Sequence, residues 1–223
     1  MSPRPLCPTC LRPLQACWCH CIHTVASPVQ LLVLQHQLEV GHAKNTARLL
    51  HQCVAGSRLE VGEVFAAADL QQWLHAPWPG QAADAPVHTA LLYPATAPDP
   101  QLPLLAPPAL PGVWLAQPQQ LRLVVLDGTW RKSRKMLYLN PALQQLPRLA
   151  LHDVPAGRYV IRKAHSPGQL SSFEASALAL AQLHSWSDRH PAWRALMQSF
   201  DHAMAHHQQL QAQHRAKVQP PEV

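Results

Sequence analysis

The chain has 223 residues, 48 % of them hydrophobic, which suits one globular domain with small attachments and excludes a disordered chain. No apolar run reaches the roughly 18 residues a membrane span needs, and Met1 to Cys10 carry Arg4 but no apolar signal core, so a cytoplasmic protein is expected. Lys and Arg total 18 against 12 Asp and Glu, a formal charge of +6 that fits a polyanionic partner.

The first 24 residues form a cysteine-rich segment. Four of the six cysteines fall between Cys7 and Cys19. In a reducing compartment such clustering reads as metal binding rather than as disulfides. Cys7-Pro-Thr-Cys10 supplies two sulfurs from one tight turn, and Cys17-Trp-Cys19 supplies two more if both side chains turn the same way. Zinc takes four such ligands in a tetrahedron. An iron–sulfur cluster or unligated thiols are the alternatives. Cys21 continues the alternation and leaves the fourth ligand open, whereas Cys53 fits a small core position.

Residues 25–215 read as an α/β domain. The run from Val29 to His36 is short and aliphatic, as a buried strand is. Lys44 to Val54 follows as a helix with Ala47, Leu49, Leu50 and Cys53 inward and Gly56 as its stop. Asn45 or Thr46 is its cap, at a strand end feeding a helix start. Arg58 to Phe65 and Thr89 to Tyr93 are further strands. Eight prolines between Pro94 and Pro118 exclude a helix or central strand there and predict a surface loop. Leu121 to Leu126 is the clearest strand. Leu149 to His152 is a last short one, and Ser172 to Trp186 and Trp193 to Arg215 are helices. Alternating elements imply a mostly parallel sheet. Residues 216–223 are expected to be a disordered tail. Fifteen histidines, many in the C-terminal third, read as a solvated helix face.

The clearest strand ends at Asp127-Gly128-Thr129-Trp130. Ligands of open parallel sheets bind beyond the carboxyl ends of strands, and Gly128 permits close backbone approach there. Thr129 either simply caps the next helix or helps its amides hold an anion. Trp130 is core packing or a platform for a flat ring. Arg131, Lys132, Arg134 and Lys135 crowd that short helix with no acid between them, as a solvated face or a phosphate-contact surface. Arg162 and Lys163 add two cations downstream. Ser171 with Glu174 fits a capping box, although Ser172 could be the cap instead.

Together these residues resemble the DTW-domain family, the tRNA-uridine aminocarboxypropyltransferases. The likeness rests on four motifs in order: the cysteines Cys7, Cys10, Cys17 and Cys19; the Asn45-Thr46 helix start; Asp127, Thr129 and Trp130; and the segment ending at Glu174-Ala175. It spans about Cys7 to Leu183. The proline-rich 94–118 departs from the family pattern, and Ser172 stands where a threonine is frequent.

The resemblance implies a SPOUT-like, knotted α/β sheet with an N-terminal zinc knuckle. It implies transfer of the 3-amino-3-carboxypropyl group of S-adenosylmethionine to N3 of a tRNA uridine, at position 47 of the variable loop, with release of methylthioadenosine. Asp127 is then the first candidate base and Glu174 the second, either of which could instead hold the donor's amino group. Asn45, Thr46, Asp127, Thr129, Trp130 and Ser172 are expected around the donor. Arg131, Lys132, Arg134, Lys135, Arg162 and Lys163 are expected on the tRNA. A SPOUT-like RNA methyltransferase and a non-catalytic zinc-containing RNA-binding protein are the competing readings. No membrane and no obligate protein partner is implied.

Overall fold

The computed structural model describes residues 5–155, 157 and 170–218. Arg162 and Lys163 lie outside the described residues. Five strands form one sheet: β1 (Gln30–Gln35), β2 (Arg58–Val61), β3 (His88–Leu92), β4 (Leu121–Asp127) and β5 (Arg148–Leu149). Their order is β2-β1-β4-β3-β5 and every pairing is parallel.

Alternation along the central strands sorts side chains to two covered faces. Leu31, Val33, Leu123 and Val125 face α1 (Ala47–Cys53), α6 (Ser172–His184) and α7 (Pro191–Val218), where Leu50, Phe173 and Phe200 close the core. Leu32, Leu34, Val124 and Leu126 face α2 (Ala67–His75), α4 (Trp130–Leu139) and α5 (Pro141–Gln144), meeting Leu70, Leu74, Met136, Leu137 and Leu143. All seven residues of β4 are buried, which is why it reads as an almost unbroken apolar run. Its one cation, Arg122, donates to Gln30 Oε1 and to the carbonyls of Trp73 and Ala76, so it closes the C-terminus of α2.

Several boundaries differ from the sequence expectation. The stretch between residues 66 and 88 holds α2, which the sequence reading leaves unassigned. β2 stops at Val61 instead of Phe65. Gly62 donates its N–H to the Gln35 carbonyl, a Cβ there would sit 2.7 Å from the Phe65 ring, and the Phe65 N–H leaves the sheet for Asn140 Oδ1. β5 is Arg148–Leu149 rather than Leu149 to His152. α1 starts at Ala47 because Asn45 Oδ1 accepts from the Ala47 N–H. α7 runs on to Val218, past the boundary placed at residue 215, with no glycine or proline before Pro220 to stop it.

The proline-rich stretch contains one helical turn, α3 (Gly112–Leu115). Arg134 of α4 fastens its earlier part, donating to the carbonyls of Ala97 and Leu102. The cysteine-rich segment is not a free appendage. Cys7, Cys10, Trp18 and Cys21 are buried in the same core as α1 and α7, and Trp18 Nε1 donates to Gln52 Oε1 of α1 at 3.0 Å. Among the described residues no helix is long and apolar enough to cross a membrane.

From β1 the chain steps outward to β2, yet β4 pairs on the other side of β1. The connections therefore diverge between β1 and β4, and their carboxyl ends open a crevice there.

Candidate functional site at the ends of β1 and β4

Gln35 and Asp127 are register partners at that crevice. The Asp127 side chain is buried and both its oxygens are engaged. Oδ2 accepts from Gln35 Nε2 at 3.1 Å and Asn45 Nδ2 at 2.5 Å, and Oδ1 accepts from Ser172 Oγ at 2.7 Å. Asn45 Oδ1 in turn accepts from Gln35 Nε2 and from the Ala47 N–H, so the amide that starts α1 also aims its N–H at the carboxylate. Thr46 is buried beside it and makes no side-chain cap bond. Burial pushes the Asp127 carboxyl above the ordinary carboxylate range. The hydrogen bonds from Ser172, Asn45 and Gln35 oppose that rise, and the nearby Glu39 adds to it.

The register left open at Ser171 and Ser172 is resolved. Ser171 Oγ accepts from the Glu174 N–H, and Glu174 Oε2 accepts from Ser171 N at 2.8 Å, which completes a capping box. Ser172 becomes the first helical residue and is released to reach Asp127. Glu174 is buried in that box and lines neither of the clefts described next.

Two clefts meet at this point, sharing Gly128, Ser171 and Ser172 as walls. One, about 270 Å³, is mostly apolar, with Tyr93, Val125, Trp130, Leu149 and Leu151 among its lining. The other, about 180 Å³, is polar, lined by Glu39, His42, Lys44, Asn45, Asp127 and Lys132 with Thr46 and Thr129. A Cβ on Gly128 would lie 3.1 Å from Lys132 Cβ and 3.6 Å from His36 Cβ, so glycine lets α4 come close to the strand ends. Thr129 caps α4 through the Lys132 N–H, at a long 3.4 Å. Trp130 is 53 % exposed and meets Tyr93 edge-on.

The basic run on α4 is largely neutralised by distant acids. Lys132 Nζ pairs with Glu39 at 2.8 Å, Lys135 Nζ with Glu63 at 3.0 Å, and Arg134 lies 3.5 Å from Asp99. Arg131 is exposed, and among the described residues it has no carboxylate partner. Behind the site His36 accepts the Leu38 N–H at Nδ1, so its Nε2 carries the proton it shares with Glu63. Gln35 is the site residue that the sequence reading did not single out. Its position as the last polar residue of an aliphatic strand was the available signal.

At the N-terminus the sulfurs of Cys7, Cys10, Cys17 and Cys19 all lie within 4.8 Å of one another. Cys7 to Cys19 is 3.7 Å and Cys10 to Cys17 is 3.8 Å. A tetrahedron with metal–sulfur bonds of about 2.3 Å has edges of about 3.8 Å, so the set could hold a zinc-sized ion. Cys21 is buried outside the group, which makes Cys19 the fourth member. Backbone hydrogen bonds from Cys10 and Thr9 pull the Cys7 thiol down to about 6, while burial pushes Cys17 and Cys19 up. Cys53 is wholly buried, its thiol pushed up to about 11 by burial.

A family model described as the DTW domain matches residues 4–209 of the chain. The tRNA-uridine aminocarboxypropyltransferase 2 of Drosophila melanogaster is 31 % identical over 192 residues, covering 82 % of this chain and 68 % of the relative. The Mus musculus protein of the same name is 27 % identical, with 81 % and 57 % covered. The tRNA-uridine aminocarboxypropyltransferase A of Arabidopsis thaliana is 29 % identical, with 60 % and 50 % covered. The chain thus spans between half and about two thirds of the length of these relatives. No solved structure matches it.

Proposed function

Since the chain belongs to the DTW-domain family, we propose that it is a cytoplasmic tRNA-uridine aminocarboxypropyltransferase using S-adenosylmethionine as donor. The observation that carries this reading is the convergence of Gln35, Asn45 and Ser172 on the Asp127 carboxylate between an apolar and a polar cleft.

The apolar cleft beside Trp130 suits the donor's adenosine. The polar cleft suits its amino acid end, with Lys44 and Lys132 for the carboxylate and Glu39 for the ammonium. Orientation decides which of the sulfonium's three carbons is attacked. In the proposed reaction uridine N3 attacks the γ-carbon, the carbon–sulfur bond breaks, and methylthioadenosine leaves with the bonding pair. Asp127 takes the N3 proton, and its burial suits a base with more proton affinity than a surface carboxylate. Glu174 acts by position, holding Ser171 so that Ser172 reaches Asp127. Cys7, Cys10, Cys17 and Cys19 would hold one zinc ion that fastens the N-terminal segment. A SPOUT-like knotted path is part of the proposal. It rests on the family membership, with an all-parallel α/β sheet as the fold in which it would lie.

The test is incubation with unmodified tRNA and donor, followed by mass analysis of nucleosides. Aminocarboxypropyluridine, expected at position 47 of the variable loop, should appear together with methylthioadenosine. A methylated nucleoside with S-adenosylhomocysteine would transfer the assignment to a methyltransferase. Binding of tRNA with no donor binding would leave an RNA-binding protein.

A further inference from the structure

We propose that the open groove on the outer side of Trp130 binds a second nucleotide of the RNA, separate from the uridine that is modified. The groove has a volume of about 460 Å³ and is lined by Tyr93, Thr96, Pro98, Asp99, Trp130 and Arg134. Tyr93 and Trp130 also line the apolar cleft, so these two rings are the partition between the two spaces. The inference rests on the RNA reading above, and it assigns a site that the transfer chemistry does not use.

Three observations point to a nucleotide. First, Trp130 keeps 53 % of its surface open although it stands between two cavities, and Tyr93 braces it edge-on with ring centroids 5.8 Å apart. A braced, open indole is a stacking platform for any base. Second, the charge around the groove is one-sided. Arg131 follows Trp130 in sequence, Arg134 lines the groove, and Arg148 lies over the Tyr93 ring at 5.3 Å and reaches Thr96 Oγ1 at 3.5 Å. Against these three guanidiniums stands one carboxylate, Asp99, already beside Arg134. Among the described residues neither Arg131 nor Arg148 has a carboxylate partner. Burial and the neighbouring Arg134 weaken the hold of Arg148 on its proton, with Tyr93 opposing, and a phosphate would relieve that repulsion. Third, the proline-rich wall is preformed. Arg134 holds the carbonyls of Ala97 and Leu102, so Pro98 and Pro100 line the groove at little further entropic cost. This gives the proline-rich segment a role, and of the expected RNA contacts it keeps Arg131, sets aside the acid-paired Lys132 and Lys135, and adds Arg148.

The experiment measures binding of an unmodified tRNA transcript to the full chain without donor, by anisotropy across a salt series. The double variant Arg131→Gln/Arg148→Gln should bind roughly tenfold more weakly. Its salt slope should shrink by about 1.4, as the loss of two single-strand phosphate contacts requires. Trp130→Ala should weaken binding roughly tenfold with the slope kept, and Trp130→Phe should recover most of that loss. Calorimetric donor binding by the arginine double variant should stay within about twofold of wild type. A fold-independent check uses wild type and a transcript carrying 4-thiouridine, where photo-crosslinks should fall on residues 93–100 or 130–131. Wild-type affinity and slope in the double variant, or crosslinks confined to other segments, would overturn the proposal. If the groove variants behave as expected while wild type forms no modified uridine, the transferase reading fails and the groove stands. If wild type modifies tRNA and the double variant binds normally, only the groove fails.

Discussion

Replacing Asp127 by Asn separates charge from shape at the centre of the site. Oδ2 accepts from two amide N–H groups, those of Gln35 and Asn45, whereas Oδ1 accepts from one hydroxyl, that of Ser172. In Asp127→Asn the new carbonyl oxygen keeps the two amide donors, and its NH2 turns to Ser172, whose hydroxyl rotates from donor to acceptor. Every partner stays satisfied. The loss of charge assistance, about 1–2 kcal/mol for these bonds, is offset by removal of a buried charge. Asp127→Ala instead strands the Gln35 and Asn45 donors, at about 1–3 kcal/mol each, so it should melt well below wild type. The carboxyl's raised affinity for its proton also makes stability depend on pH. The unfolded chain releases that proton near the ordinary 3.8 and the folded chain only at higher pH, so wild type loses stability relative to Asp127→Asn as pH climbs through that window. If Asp127 is the base, single-turnover transfer by Asp127→Asn, followed by nucleoside mass analysis, should fall by about two to four orders of magnitude while calorimetric donor affinity changes little. Full turnover would refute the base role. A large loss of donor affinity at an unchanged melting temperature would make Asp127 a donor ligand.

Other outcomes follow from the same contacts. Glu174→Gln should keep an acceptor for the Ser171 N–H and retain most activity, whereas Glu174→Ala should lose about 0.5–2 kcal/mol of stability and misplace Ser172; equal rate loss in both would point to proton transfer by Glu174. Protein purified under reducing, chelator-free conditions should contain about one zinc per chain by metal analysis, and Cys10→Ser should lose it along with fold yield; finding no metal in wild type would end the zinc assignment. The His36 hydrogen bond, then Lys135, holds the Glu63 carboxyl below its ordinary 4.5, so the melting advantage of wild type over Glu63→Gln should be full above that pH and close as acid titrates the folded group; a gap independent of pH would contradict it.

Much of this arrangement was legible where chemistry is local. The β4 run is buried on both faces and so reads as a strand, and its first side chain past the aliphatics is the site carboxylate. The turn at Gly128 follows at once, and the DTW motifs supplied the rest of the family reading. The basic run of α4 was not legible in the same way. Its neutralising acids Glu39 and Glu63 sit 93 and 72 residues away, so inspection of the run alone overstated its free charge. The choice between Ser171 and Ser172 also needed three dimensions. Both fit a helix start, and only the position of Asp127 shows which hydroxyl is released. The α2 helix carried a readable signal in Leu70, Trp73 and Leu74 at helical spacing, next to an alanine-rich start that invites no assignment.

The cysteine-rich segment is linked to the site through α1 and the turn before it. Trp18 donates to Gln52 inside α1, and Arg12 donates to the Ala43 carbonyl just before it. Arg12 is itself fixed by the Ala16 carbonyl and by stacking over Trp18 at 4.2 Å. Between these two grips lies Asn45, whose side chain both starts α1 and donates to Asp127. The segment therefore need not touch RNA or donor to matter. Both grips flank the Asn45 turn, so loosening the cysteine cluster is expected to reach the carboxylate through it. That is a physical reason for a cysteine cluster able to hold a metal ion in a chain whose proposed chemistry uses none.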